Sequence, residues 1–329
     1  MIRESVPGKP VRSLVVLPEP MTKYIIRRFF GLIPTLFIII TLSFFIIRIA
    51  PGGPFSEERA LPKQVLENIE KAYHLDDPLL VQYGRYVFDI LRGDLGPSFR
   101  YKDFDVNYYI RISLPNSMVL GLISLILAVL LGIVTGLISA TRQNSALDYL
   151  SMSVAVIGIS VPLFVVGPVL MYLFAMKLNL LPTSGWIMSG DSWKTILMPV
   201  MTLTLPYFAY IARLSRASIL EVLRSDYVRT ARAKGLSESV IMVKHVLKGA
   251  LLPVVSYLGP AFAHIVTGSI VVETIFRVPG LGRHFVQSAL NRDYTLIMGT
   301  VIVYSAILLV MNFIVDILYG FMDPRISYR

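Results

Sequence analysis

Between residues 213 and 248 stand eight Lys/Arg residues and only three acids, Glu221, Asp226 and Glu238. Arg229, Arg232 and Lys234 fall in one short run, Arg-Thr-Ala-Arg-Ala-Lys, which ends at Gly235. Guanidinium and ammonium groups at this spacing break no bonds. They offer a cationic surface to a carboxylate-bearing protein or to anionic lipid. No catalytic constellation accompanies them. Cysteine is absent, which removes thiol nucleophiles, disulfides and thiolate zinc sites. The four histidines, His74, His245, His264 and His284, show no metal-ligand spacing. Neither a GxxxxGKS/T phosphate loop, a GxSxG elbow nor an HExxH pair occurs.

The elements around this cationic run are apolar. Of 329 residues 55% are hydrophobic and 16% charged, and the mean hydropathy is +0.66. That is a membrane composition. A spanning helix needs about 20 mostly apolar residues. Six stretches qualify, near 24–49, 116–140, 148–176, 195–212, 249–275 and 295–319, and give an all-α protein with six transmembrane helices. Prolines inside them, Pro34, Pro162, Pro168, Pro199, Pro206, Pro253 and Pro260, are expected to kink helices or sit in first turns. Basic residues cluster before the first span and in 213–248, which places both termini and the loops 141–147 and 213–248 on the cytoplasmic side. Segment 51–113 then lies outside, where LPKQVLENIEKAYHL and PLLVQYGRYVFDILRGDL read as amphipathic helices. The net charge of +10 is assigned to holding loops on anionic lipid rather than to nucleic acid, because no nucleic-acid motif accompanies it.

Residues 1–20 are unlike the rest, and MTKYIIRRFF from Met21 looks like a natural start. The expected division is an extension 1–20, a first span with its outer segment 21–113, a transmembrane domain 114–320 and a tail 321–329. Ionisable groups within spans mark relays or ion paths, and here they are scarce. His264 sits mid-span, either bonded to a neighbouring helix or lining a path. Arg48, Glu273 and Asp316 lie near span ends, within reach of the interface. Tyr257, His264 and Asn312 are the polar candidates for a pathway in the last spans.

In the cationic loop, 213–234 reads as a continuation of the fourth helix, stopped by Gly235. Ser237 is a candidate N-cap for a second helix, with Glu238 in its first turn. Val240, Ile241, Val243, Val246 and Leu247 would give that helix an apolar side. Two short helices bent around a glycine can seat in a partner's groove, or the loop can simply lie on the membrane surface.

This loop resembles the EAA loop of bacterial ABC-importer membrane subunits. Arg229, Thr230 and Ala231 stand at its Glu-Ala-Ala, Gly235 at its glycine, and His245, Leu247 and Lys248 at its Ile-x-Leu-Pro. The peptide and nickel branch of that family typically reads Arg-Thr-Ala-Arg-Ala-Lys-Gly, which this chain matches letter for letter. RIAPGGPF (48–55), YHLDDP (73–78), GDLGPSF (93–99), ALLPVVSYLGPAF (250–262), VVETIFRVPGLG (271–282), LNRDY (290–294) and VDILYGFMDPR (315–325) extend the likeness from residue 21 onward. Together they resemble the B-type permease subunit of oligopeptide ABC importers.

The resemblance implies the type I importer fold and a non-catalytic subunit of the inner membrane. It implies a second homologous permease, two ATPases that carry the ATP and Mg, and an extracytoplasmic binding protein that delivers peptide. Arg229, Thr230, Ala231 and Gly235 would form the coupling helix, with Arg232 and Lys234 meeting acidic groups of the ATPase. No cofactor would bind this chain itself. Segment 56–113 would pack on the spans or help dock the binding protein. Dipeptides or nickel remain alternative cargoes. A secondary transporter would need charged partners inside its spans, which this sequence hardly supplies.

Overall fold

A computed structural model describes residues 21–49, 64, 67, 71, 73–101, 104–186 and 193–322. The extension 1–20, the loop after Ile49 and most of the first expected outer helix lie outside these residues. Among the described residues the secondary structure is helical, apart from one antiparallel bridge between Pro97 and Asp105.

Four helices are long and apolar enough to cross a bilayer alone. They are α1 (Met21–Ile49), α3 (Val106–Thr141), α6 (Lys194–Leu223) and α12 (Tyr294–Met322), with α2 (Leu79–Leu91) between the first two. α2 matches the second amphipathic stretch read from the sequence. It leans on the end of α1, where the Tyr83 hydroxyl meets Thr41 Oγ1 at 2.7 Å and Arg48 Nε donates to Gln82 at 3.0 Å. α3 begins ten residues before the expected span, because the Asp105 carboxylate accepts from the Tyr108 N–H at 2.7 Å and caps it there.

The other two expected spans are bent. The third divides into α4 (Ala146–Ser160) and α5 (Leu163–Lys177), which meet at 107°. Each piece has 15 residues, about 22 Å at 1.5 Å per residue, too short to cross about 30 Å of hydrocarbon alone. The break falls at Val161, which is extended (φ −85°, ψ 120°) ahead of Pro162, as the proline ring favours. The fifth divides at Leu251 into α8 (Glu238–Ala250) and α9 (Leu252–Gly268), bent by 48°. The residues up to Ile275, expected as one span, fall instead in a separate short helix, α10 (Ile270–Phe276). Counting each bent pair as one span gives six.

α3 and α6 are packed nearly backbone to backbone. A Cβ on Gly136 would lie 2.6 Å from Ser215 Cβ and 2.8 Å from the Ala212 carbonyl. Small residues permit such contact where lipid supplies no hydrophobic drive between helices. The buried core extends from this pair to α9 and α10 through Leu120, Met198, Leu203, Ile265 and Phe276.

Candidate functional site: a bent hook and three buried carboxylates

The hook is shorter and sharper than one continued helix. α6 stops at Leu223, and α7 (Asp226–Ala233) starts afresh after a turn in which the Ser225 hydroxyl donates to the Val222 carbonyl at 2.6 Å. The expectation that 213–234 is one helix is therefore corrected. Gly235 ends α7 with φ +75°. Its N–H donates to the Arg232 carbonyl at 2.9 Å and that of Leu236 to Ala231 at 3.4 Å. This is the paired-bond glycine stop read from the sequence. Ser237 does precede α8, but its side chain makes no cap bond. Widened π turns from Ile241 to Val246 carry α8 toward the bend.

One side of the hook is closed by an apolar seam. Val228 and Ala231 of α7 pack with Ile241, Val246 and Ala250 of α8 and with Ile219 of α6. Ala231, one of the expected coupling residues, thus turns inward. Val243, expected on the apolar side, is exposed, because π turns shift the register of the face. Arg229, Thr230, Arg232, Lys234 and Gly235 lie on the open side. Arg232 grips Glu238 across the glycine turn with bonds of 2.8 and 3.2 Å, and that contact holds the carboxyl below its ordinary range. Arg229 lies 3.2 Å from Asp226. Exposed pairs are weakened by water and salt, whereas each large buried aliphatic side chain contributes about 1.5–3 kcal/mol. The seam sets the hook's shape and the cations are left for its surface.

Seven residues before α6 ends, Arg216 binds Asp148 through two bonds, Nε to Oδ1 at 2.7 Å and Nη2 to Oδ2 at 2.8 Å. Asp148 is buried at the start of α4. It also accepts from the Asn144 N–H at 2.9 Å and from the Ser139 hydroxyl. The loop between α3 and α4 is thereby tied to α6 just above the hook. The sequence reading counted Arg216 only as loop charge and missed this pair. The available signal was a lone acid opening an apolar run, which needs a cation nearby.

At the opposite end, Glu273 corrects a second expectation. It does not reach an interface; it is fully buried. The chain after α10 turns at Arg277 (φ +57°) and folds back into α11 (Leu281–Leu290). The carboxylate then accepts from Ser117 Oγ of α3 at 2.7 Å, from Ser269 Oγ and from the Arg283 N–H at 3.3 Å. Ser117 Oγ in turn accepts from the Leu281 N–H at 2.8 Å. Asn116 donates to the Pro279 carbonyl at 2.9 Å and accepts from Trp186 at 2.9 Å. Nearby, GDLGPSF and LNRDY are clasped together. Buried Asp293 accepts from the Ser98 hydroxyl and the Phe99 N–H, and Thr295 donates to the Pro97 carbonyl at 2.6 Å.

Of the three pathway candidates, two each meet a tyrosine of α6. The Tyr207 hydroxyl of α6 lies 2.6 Å from His264 Nδ1, and the Tyr210 and Tyr257 rings are 4.2 Å apart. Asn312 of α12 sits elsewhere, its amide oxygen against Gly259.

Residues 132–328 match the family described as "Binding-protein-dependent transport system inner membrane component". Residues 21–100 match its N-terminal counterpart. The chain belongs to this family. It is 50% identical over 308 residues to the oligopeptide transport system permease protein OppB of Salmonella typhimurium, covering 94% of this chain and all of that protein. The dipeptide transport system permease protein DppB of Bacillus subtilis is 45% identical over 93% of this chain and 98% of its own length. A solved structure of the MetNI methionine ABC transporter in an inward-facing conformation superposes with a TM-score of 0.53 at 18% identity, over 66% of this chain and 97% of that one. At that identity the likeness concerns the fold, and it is the membrane-subunit fold of ABC importers.

Proposed function

We propose that the chain is the membrane subunit of an ATP-driven oligopeptide importer, that it forms half of the translocation pathway, and that it takes its motion through the hook at Gly235. One observation carries the coupling part of this reading. The hook's apolar seam packs into its own span bundle, while Arg229, Thr230, Arg232 and Lys234 stand exposed on the opposite side, with Arg229 and Arg232 each beside one acid of the hook itself. A rigid handle with a cationic outer face suits a groove rimmed by carboxylates on an ATPase. Because α6 enters the hook and α8 leaves it, a push on α7 reaches both α6 and α9.

The 50% identity to an oligopeptide permease over its whole length supports the cargo. The 45% identity to a dipeptide permease keeps shorter peptides as the second reading. Under this proposal the hook and both termini are cytoplasmic, and the Glu273 end faces outward. The partners are a second permease, two ATPases holding ATP and Mg, and an external binding protein. Alternating access would follow from two discrete positions of the handle.

The test is Gly235→Val in the assembled transporter. A β-branched residue at φ +75° costs upward of about 1–2 kcal/mol and reshapes the handle. Peptide uptake should fall at least ten-fold, with weaker ATPase co-purification. Wild-type uptake and wild-type assembly together would refute the coupling role.

A further inference from the structure

Most exposed side chains on the long apolar helices are hydrocarbon. Phe30 and Ile33 of α1 and Val156 and Ile157 of α4 are examples. Such groups face lipid tails without cost. The face shared by α6 and α9 is different. Tyr207 meets His264 at 2.6 Å, Tyr210 stacks on Tyr257 at 4.2 Å, and the Arg213 guanidinium lies 5.9 Å from the Tyr210 ring. Along both helices these rungs step toward the hook. Tyr210, Arg213 and His264 are exposed in the single chain. Imidazole and phenol groups are poorly placed against hydrocarbon, and ionisable groups within spans almost always face the bundle interior or a water-filled cavity. This face is therefore turned away from lipid.

We infer that Tyr207, Tyr210, Tyr257 and His264 form a wall of the route taken by the peptide, with Arg213 at its hook-end mouth. The inference rests on the importer reading above and gives it a contact surface. Hydroxyl and imidazole groups can exchange hydrogen bonds with peptide N–H and C=O groups. Flat rings accept side chains of varied size. The wall carries no carboxylate, so it selects a main chain rather than a particular side-chain charge. Asn312 does not belong to it. Gly259, which it contacts, follows Tyr257 by two residues, a turn of about 200° to the far side of α9.

The absence of cysteine makes the test direct. Tyr210→Cys, His264→Cys and the lipid-facing control Ile157→Cys are each placed in the complete transporter. A charged, membrane-impermeant thiol reagent is added to inside-out vesicles with and without saturating tetra-alanine. Positions 210 and 264 should react about ten-fold or more faster than 157, since water reaches them and not the control. Peptide should slow that reaction several-fold. Ala217→Cys, a near-isosteric change one heptad along the same exposed side of α6, serves if a ring replacement prevents assembly. It should react quickly as well. Equal rates at all positions, or rates that peptide leaves unchanged, would overturn the wall. ATPase co-purification of the same variants keeps the two readings apart. A failed wall with ATPase still bound leaves the coupling role standing, whereas loss of coupling shows in Gly235→Val.

Discussion

Asp148 near the hook and Glu273 at the far end of the span bundle are both buried, and the two carboxyl groups are held in opposite ways. Asp148, at the hook end, is neutralised by a bidentate guanidinium from Arg216. Glu273, at the far end, is held by two serine hydroxyls and a backbone N–H, and no Lys or Arg side chain among the described residues pairs with it. An ion pair of that geometry is costly to open, because both charges would be stranded. A carboxylate held by neutral donors can release them singly, each exchange involving about 0.5–1.5 kcal/mol. The difference fits what the ends do under the proposed function. Near the handle, α3, α4 and α6 must move as one piece. At the far end the segment from Arg277 to Leu281 must be able to part from α3.

The largest expected effect tests the rigid end. Asp148→Asn can keep its oxygen on the Asn144 N–H and turn its amide to the Ser139 hydroxyl, which must then accept, but it removes the charge opposite Arg216. Thermal unfolding of the purified transporter should report a loss of about 3 kcal/mol. The low side of the usual range applies because Arg216 keeps a quarter of its side chain exposed and can reach water. If Asp148→Asn were as mild as Glu273→Gln, the contrast between the two ends would not exist.

Gly280 sharpens the other side of the comparison. A Cβ there would sit 2.3 Å from the Glu273 carboxyl carbon. The carboxylate can move aside only by giving up bonds to Ser117, Ser269 or the Arg283 N–H, so Gly280→Ala should cost about 1–3 kcal/mol through overpacking. In a Glu273→Ala background that clash is gone, and the Gly280→Ala cost should fall below about 0.5 kcal/mol. Such coupling is what a double-mutant cycle measures. Additive losses would mean that the glycine serves something other than space for this carboxylate. Glu273→Gln keeps the shape and much of the bonding, and should cost less than about 1 kcal/mol.

How much of this was legible in the sequence follows from the distance each feature spans along the chain. α1, α3, α6 and α12 announce themselves as long apolar runs, and Gly235 marks the hook turn unaided. The 107° break at Pro162 is signalled locally by its proline alone, which does not tell a kink from a sharp break. Pro199 and Pro206 lie inside α6 without ending it, so a proline in an apolar run permits a break and tertiary packing decides. The carboxylate networks were out of reach for a plainer reason. Ser117 and Glu273 are 156 positions apart, and Asp148 and Arg216 are 68 apart. GDLGPSF and LNRDY stood out separately, yet only the fold shows that they bind each other. Tyr207 and Tyr210 were missed because tyrosines in an apolar helix look like core until a histidine is found opposite.

The smallest expected effect concerns the clamp between Arg232 and Glu238, which tests whether the hook resembles the rigid end or the yielding one. Arg232 lowers the pKa of Glu238 in the folded chain. A lowered carboxyl contributes stability above its unfolded pKa and loses it as pH falls through the folded value. The clamp should therefore be intact at neutral pH and loosen only below about pH 4. Glu238 is exposed, so the apolar seam of Val228, Ile241 and Val246 should hold the hook's shape when the pair opens. Glu238→Gln should leave the unfolding temperature unchanged within error at pH 7 and flatten the acid limb of its pH profile. Its effect on ATPase binding should be a strengthening, if any, because Arg232 is then released toward an acidic partner. A marked loss of stability at pH 7 would put the hook with the Asp148 end, held by charge, and would remove the seam as its main support.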